Sequence, residues 1–478
     1  MNIRMDLKIV GLLAGLMGVF LLFPLALALA RDEPATPFIR GMALAFFLAA
    51  AGVVVGFRSG QTIQTRDGFL VVTAGWLVAS TVAAVPYLAS GSLGTVDAWF
   101  EAVSGITTTG STILTDIEAL PRSLLLWRSM TQWLGGMGII LFTIAVLPLL
   151  GVGGMQLFKA EVPGPVADKL TPRLAVTARY LWYVYVGLTA AEFLLLWILG
   201  MPWLDAIDHS LTTLATGGFS PRNESIAAYT SPAIRLVIML FMFLAGTNFV
   251  LHFRLLAGRW RTIVSDDEWR WYVMLIAGFA TIFTTFLVYQ GTGLYRAAED
   301  SLFTVISLMT TTGYATADFE TWPLALQGLL GLTLVFGGMA GSTGGGVKTL
   351  RTLMAFRSLR MSFRKMLHPH AMTPVVYRGK LVPPDVMNAI WGFFAAYLIL
   401  AVIGMLLINL SGADMVTAWT ASLTAVSNVG PGLGQVGPTD NFAWLPGYAK
   451  IALTFLMLSG RLELYTVILV FLPGFWRR

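Results

Sequence analysis

Four copies of one short pattern constrain this chain more than any other feature. Each copy is an apolar stretch, then Asp or Thr, then a short amphipathic run, then a corner rich in Thr and Gly. The corners read Thr107-Thr108-Thr109-Gly110-Ser111, Ala215-Thr216-Gly217-Gly218-Phe219, Thr310-Thr311-Thr312-Gly313-Tyr314 and Ser427-Asn428-Val429-Gly430-Pro431. With the last glycine of each aligned, Asp97, Asp205, Asp300 and Thr417 share one position, and Ser104, Thr212, Ser307 and Thr424 share another. An internal repeat of roughly 100 residues between membrane-length apolar segments lets one chain surround a central axis. That is the plan of a pore.

Composition sets the solvent. Apolar residues make up 56% of the chain and charged ones 12%, far from the mix of a soluble domain. Uncharged runs cover 9–30, 41–57, 68–96, 129–158, 236–251 and 386–413. Several reach the ~20 residues a helix needs to cross the hydrocarbon core. The first run reads as a span and not a secretion signal, since a second span follows closely without a convincing small-residue cleavage site. Cysteine is absent, which excludes disulfides, thiolate metal sites and thiol catalysis.

The net charge of +6 matters less than its placement. Counting alternate loops, one set holds Arg4 and Lys8, Arg58 and Arg66, Lys159 to Arg179, Arg254 to Arg270, Arg351 to Lys380, and the terminal Arg477 and Arg478. The opposite loops hold only Arg31, Arg40, Arg122, Arg128, Arg222, Arg235, Arg296 and Lys450. By the positive-inside rule the rich side, with both termini, faces the cytoplasm. Loop bias accounts for the clustering, so no nucleic-acid partner is inferred from it.

These patterns predict an all-α integral membrane protein with ten transmembrane spans. Two spans, about 7–30 and 38–57, form an N-terminal extension over 1–57. Four span–re-entrant–span repeats follow at 58–174, 175–266, 267–383 and 384–478, with pseudo-fourfold symmetry around a central pore. The segments before the corners, such as 96–107 and 417–427, hold about a dozen residues, roughly 17 Å of helix. They must enter and leave on one face, the side poor in Lys and Arg. Non-helical backbone at that depth survives only where it is buried in protein or lines water. Asp97, Asp205, Asp300 and Thr417 fall where an N-cap or first-turn residue accepts from free backbone N–H groups. Each short helix would then aim its negative C-terminal end at mid-membrane, which favours a cation.

A glycine at each corner supplies the positive φ that turns carbonyl oxygens toward an axis. Four such strands in a ring can replace the water shell of a bare alkali cation, with Thr and Ser hydroxyls bracing the loop or adding ligands. One isolated Thr-Thr-Gly is an ordinary turn. Four in register behind matching short helices are not.

On these residues the chain resembles the TrkH/KtrB family of bacterial potassium-uptake proteins, over nearly its whole length. It also carries Gly337-Gly338-Met339-Ala340-Gly341-Ser342-Thr343-Gly344-Gly345-Gly346-Val347-Lys348 and Ser459-Gly460-Arg461-Leu462-Glu463-Leu464, both similar to family signatures. The two extra N-terminal spans are more like TrkH than the shorter KtrB. The resemblance implies a potassium-selective, channel-like uptake protein, with K+ held at the filter glycines. Its selectivity filter would comprise Thr108, Thr109, Gly110 and Ser111; Thr216, Gly217, Gly218 and Phe219; Thr311, Thr312, Gly313 and Tyr314; and Asn428, Val429, Gly430 and Pro431. In this family glycine at all four filter positions goes with potassium selectivity and serine at the first with sodium permeation. Here all four are glycine. The fourth corner departs from the others, with Asn428 and Val429 in place of Thr-Thr, so the ring is only pseudo-fourfold. The corners are shorter than the filter strands of tetrameric potassium channels, and fewer fully formed ion sites are expected. The resemblance further implies the bacterial inner membrane, a homodimer with one pore per protomer, and a cytosolic nucleotide-binding ring of the TrkA or KtrA kind. The nucleotide belongs to that ring, with no organic cofactor in this chain. The basic stretch 351–380 offers a surface to the ring or to anionic membrane lipids.

The glycine-rich run 337–346 interrupts what should be the second crossing of the third repeat. Seven glycines fall within 331–346, each costing about 1 kcal/mol relative to Ala in a helix interior. A broken helix in lipid needs a cavity, so an irregular loop below the corners is expected. By resemblance it obstructs the pore as a gate made of Gly337, Gly338, Ala340, Gly341, Ser342, Thr343, Gly344, Gly345, Gly346, Lys348 and Arg461. Arg461 and Glu463 lie in the expected final span, two residues apart and so on different helix faces. Arg461 then faces the pore near the loop, or pairs with Glu192. Lys348 either belongs to the gate or snorkels to the cytoplasmic surface. The Leu134-Gly135-Gly136-Met137-Gly138 stretch reads as helix packing. The competing function is a secondary transporter of another cation or small solute, which also uses broken helices but in paired inverted halves. Four same-sense repeats favour the pore. An enzyme finds no Gly-x-Ser-x-Gly, His-Glu-x-x-His or paired membrane aspartate to carry its chemistry.

Overall fold

Apolar segments in lipid must satisfy their backbone internally, and here they do so as helices. The computed structural model describes residues 2–57, 65–145, 172–370 and 374–477. Arg58, Lys159, Lys169 and Arg478, counted above on the cytoplasmic side, lie outside the described residues. The protein is a helical membrane protein; its described strands are one hairpin, Val376–Tyr377 against Lys380–Leu381.

The N-terminal pair comprises α1 (Ile3–Phe20), continued by α2 (Leu22–Ala30), and α3 (Thr36–Val55). They meet through Gly11 and Gly52, whose Cα atoms approach so closely that a Cβ on Gly11 would lie 2.8 Å from Leu48 O. Small residues permit such backbone contact between helices in lipid.

Each repeat then runs long helix, short helix, corner, second helix. The first has α4 (Thr65–Ala89), α5 (Thr95–Ile106) and α6 (Arg122–Ala145); the second has α7 (Pro172–Ile198), α8 (Trp203–Leu214), α9 (Pro232–Ala245) and α10 (Phe249–Leu256). The third has α11 (Asp267–Tyr289), α12 (Leu294–Met309), α13 (Leu324–Thr333) and α14 (Thr349–Leu367). The fourth has α15 (Pro384–Asn409), α16 (Met415–Ser427), α17 (Gly447–Arg461) and α18 (Tyr465–Phe471). The short helices hold 12, 12, 16 and 13 residues, too few to cross a bilayer.

Six described helices are long and apolar enough to span, and two bent helix pairs reach that length and apolarity only when taken together. The breaks correct the sequence reading, which placed one only in the third repeat. In the second repeat the chain bends 104° between α9 and α10, and in the fourth 120° between α17 and α18. Gly246 and Asn248 serve the first bend: Gly246 sits against Tyr272 OH and Thr310, and Asn248 caps α10 by accepting from Val250 N at 2.8 Å. The second bend runs through Glu463 and Leu464, both at positive φ. Arg461 and Glu463 are therefore not two positions on one helix, because α17 ends at Arg461.

Candidate functional site

The corners begin as helix C-caps. In each, the residue two before the aligned glycine adopts a left-handed conformation: Thr108, Thr216, Thr311 and Asn428, with φ of 53°, 52°, 62° and 57°. The residue that follows donates its N–H five residues back, Thr109 to Ser104 O, Gly217 to Thr212 O, Thr312 to Ser307 O and Val429 to Thr424 O, at 2.8–3.0 Å. This is the Schellman motif, which normally places glycine in the left-handed position. A residue with a Cβ there costs about 1–2 kcal/mol, so four such residues mark backbone held under strain by its surroundings. The aligned glycines Gly110, Gly218, Gly313 and Gly430 are again at positive φ, from 74° to 97°.

The four corners meet in cyclic order. A Cβ on Gly110 would overlap the carbonyl oxygen of Gly217, one on Gly218 that of Thr312, and one on Gly313 that of Val429. One on Gly430 would lie 2.8 Å from Thr109 O, which closes the ring. All four glycines line a single cavity of about 110 Å³, together with Ser111, Phe219 and Pro431. Further links join neighbours: Asn428 Nδ2 donates to Thr109 Oγ1 at 3.0 Å, Ser111 Oγ to Gly430 O at 3.1 Å, and Ala227 N to Ala315 O at 3.1 Å. Thr212 Oγ1 bonds Tyr314 OH.

The aligned hydroxyls divide into two kinds. Ser104 and Ser307 donate forward across the corner, to Ser111 O at 2.6 Å and Tyr314 O at 2.7 Å. Thr212 and Thr424 bond back into their own helices, to Asp208 O and Ala421 O. Repeats one and three are thus closer to each other than to two and four. Thr107 and Thr109, like Thr310 and Thr312, pair their hydroxyls at 2.7 Å.

Asp97 and Asp205 lie in the first turn of their short helices, one of the two positions expected of them, but none of the three aligned carboxylates is an N-cap. Gly94, Pro202 and Gly293 occupy the N-cap positions, and Asp300 lies in the second turn because α12 starts at Leu294. Only the fourth repeat has a side-chain cap here, and it is Asp414, accepting from Val416 N at 2.9 Å and Thr417 N at 3.1 Å. The other three carboxylates meet basic side chains. Asp97 takes Lys450 Nζ at 2.6 Å; Asp205 takes Arg122 at 3.2 Å, Arg222 at 2.8 Å and Tyr229 OH at 2.8 Å; Asp300 has Arg296 at 3.6 Å. Near a helix N-terminus their charge is still favourable, and two of these pairs fasten one repeat to the next.

Between α13 and α14 the chain is irregular from 334 to 348. The loop lies against three corners. Gly345 N donates to Thr311 Oγ1 at 2.6 Å, Gly346 N to Ser427 O at 2.8 Å, and Thr343 Oγ1 to Leu214 O at 2.9 Å. Gly337 packs on Gly345, and Gly338 on Ser342. The two helix bends enclose the loop: Met339 N donates to Gly246 O at 2.8 Å and Phe249 N to Gly341 O at 3.1 Å. From α11, Glu268 accepts from Ala340 N at 2.6 Å. Arg461 donates to Thr343 O at 2.6 Å and to Gly135 O at 3.5 Å. It does not pair with Glu192, whose carboxylate is buried without a hydrogen bond. Lys348 folds back onto Gly344 O instead of snorkelling, and Glu463 takes Arg351. Gly135 and Gly136 do serve packing, pressing α6 against Ile106 O and Ala215 at the ends of two short helices.

Sequence reasoning missed the side chains that stiffen the corners from behind. Arg128, read as an outer-loop cation, is buried in α6. Its Nε meets Glu101 Oε1 at 2.7 Å, its guanidinium lies 3.5 Å over the Phe219 ring, and it donates to Ser220 O at 3.0 Å. Glu101 also accepts from Thr112 Oγ1 at 3.0 Å and Ile113 N at 2.9 Å. Gln132, one turn on, bonds Gly217 O and Phe219 N. The available signal was polarity in or beside an apolar run, since such residues in a membrane are functional by default.

Helices of this length, fourfold internal repetition and a shared carbonyl-edged cavity define a polytopic membrane protein built around one axis. The TrkH family profile, described as cation transport protein, matches residues 37–477. The Trk system potassium uptake protein TrkH of Salmonella typhimurium is 40% identical over 493 residues, covering all of both chains. The Trk system potassium uptake protein TrkG of Escherichia coli K12 is 36% identical over 484 residues, covering all of this chain and 99% of its own. The crystal structure of the potassium transporter TrkH from Vibrio parahaemolyticus matches with a TM-score of 0.91 at 35% identity, covering both chains fully. The chain belongs to the TrkH family.

Proposed function

We propose that this protein is the ion-translocating subunit of a potassium-uptake system, conducting K+ into the cytoplasm through a pore made by one chain. The observation that carries this reading is the closed cycle of four corner glycines around one cavity. K+ sheds water against the carbonyls around Gly110, Gly218, Gly313 and Gly430, as carbonyl rings in selective filters do. The C-terminal ends of α5, α8, α12 and α16 add partial negative charge there. Below the filter, the loop 337–346 with Lys348 and Arg461 obstructs the path, and its displacement opens the pore. The full-length relatives named as potassium uptake proteins support the choice of ion.

The finer architecture belongs to the same proposal. It has ten spans, counting the broken crossings as one each, pore helices behind every filter corner, and both termini in the cytoplasm of a bacterial inner membrane. The relatives are named as parts of a Trk system, which accords with a homodimer carrying a cytosolic nucleotide-binding ring. Anionic lipids or that ring meet the basic stretch 351–380.

The test is uptake of K+ and Rb+ into vesicles holding the purified protein, with and without Na+ or pH gradients. Uptake that follows the K+ gradient and membrane potential alone supports a channel-like pore. Uptake that requires a Na+ or proton gradient points to a coupled transporter, and transport of Na+ as readily as K+ removes the filter assignment.

A further inference from the structure

Of the four corners, the second is least equipped to hold its own shape. Where the others carry Thr109, Thr312 and Val429, it carries Gly217, next to Gly218. Thr109 Oγ1 bonds Thr107 Oγ1 and receives Asn428 Nδ2; Thr312 Oγ1 bonds Thr310 Oγ1; Val429 is fully buried. Gly217 has no side chain to anchor, and Ala215 stands where Thr107 and Thr310 supply a hydroxyl. Glycine also loses more backbone freedom on ordering than any other residue.

The missing anchor arrives from another helix. Gln132, in α6 and wholly buried, donates from Nε2 to Gly217 O at 2.7 Å and accepts the Phe219 N–H on Oε1 at 3.1 Å. The two bonds bracket Gly218 and admit one amide orientation, since a flipped amide would set donor against donor. Gly217 O is the oxygen that abuts Gly110 in the ring. Among the described residues, no side chain donates to its counterparts on Thr109, Thr312 and Val429. A Cβ on Gly217 would fall on the Gln132 amide itself. A side chain at 217 and the glutamine thus compete for one space.

We infer, resting on the potassium-filter reading above, that Gln132 is a positioning residue for ion selectivity. Its amide takes the place of the side chain the second corner lacks and sets the peptide planes on either side of Gly218. The test measures K+ and Na+ uptake by full-length protein in vesicles. Gln132→Ala lowers the K+/Na+ ratio by about tenfold or more, the equivalent of ~1.4 kcal/mol. Gly217→Thr alone, colliding with Gln132, lowers it too. The double variant Gln132→Ala/Gly217→Thr recovers most of the ratio, because the vacated space admits a threonine like those at 109 and 312. A merely structural role would not produce that rescue. Gln132→Glu, isosteric but with no proton to donate once ionised, is assayed alongside so that a truncation that fails to insert does not end the test. A lost ratio at wild-type membrane yield supports the assignment. An unchanged ratio in either Gln132 variant, or a double variant no better than the worse single one, overturns it while leaving the filter reading intact. Wild-type protein that fails to prefer K+ removes both.

Discussion

At the scale of single residues, the corner glycines do two jobs that only glycine does together. Gly110 adopts φ of 88° and also brings its Cα against the carbonyl oxygen of Gly217. Gly110→Ser therefore adds both backbone strain and a steric collision inside the ring. It is expected to lower K+/Na+ discrimination at least about tenfold, or ~1.4 kcal/mol, while uptake continues. Ion ratios in flux assays equal to wild type would count against the filter. These glycines were legible in the sequence because four in register signal a repeated backbone requirement. Gln132 and Arg128 were not, because a single polar residue beside an apolar run carries no record of which corner it touches. Asn428, which reads in the sequence as a lapse from symmetry, is itself a link: its amide ties Thr109 Oγ1 to Met457 O.

At the scale of elements, the glycine-rich loop and the helix breaks explain one another. Gly246 O and Phe249 N at one bend and Arg461 at the other hold the loop by its backbone. Deleting residues 340–345 removes the partners of Phe249 N and Arg461, Gly341 O and Thr343 O, without touching a corner glycine. It is expected to raise flux several-fold with an unchanged K+/Na+ ratio; a silent or sodium-leaky product would contradict the gate. The Arg128–Glu101 pair belongs to the same scale, since it joins α6 to α5 and carries the second corner on its guanidinium face. Both side chains are buried, so Arg128→Ala strands a charge and is expected to destabilise by about 3–5 kcal/mol. Replacing both with apolar residues of similar volume should cost far less. Thermal unfolding in detergent separates the two outcomes. The break in the third repeat was foreseeable from glycine density. Those in the second and fourth were not, because Gly246 and Leu464 sit in runs whose hydropathy is unremarked by any bend.

At the scale of the whole molecule, the proposed single-chain pore moves K+ down its electrochemical gradient once the loop 337–346 is displaced. The membrane potential supplies about 2.3 kcal/mol per charge for each 100 mV. Collapsing the potential at constant K+ gradient is thus expected to cut uptake steeply, and uptake indifferent to potential would argue for electroneutral exchange. Membrane class, the repeat and the ring glycines were written in order along the chain, since hydropathy and internal periodicity are local properties of sequence. Ion-pair partners, the cyclic order of the corners, two of the three helix breaks and the reach of Gln132 into the second corner were decided only in three dimensions. Many of them depend on contacts between residues far apart in sequence, 85 positions for Gln132 and Gly217, 319 for Asn428 and Thr109 and 353 for Lys450 and Asp97, and no periodicity records such separations. A linear pattern states which backbone shapes are affordable; packing selects which neighbours make them necessary.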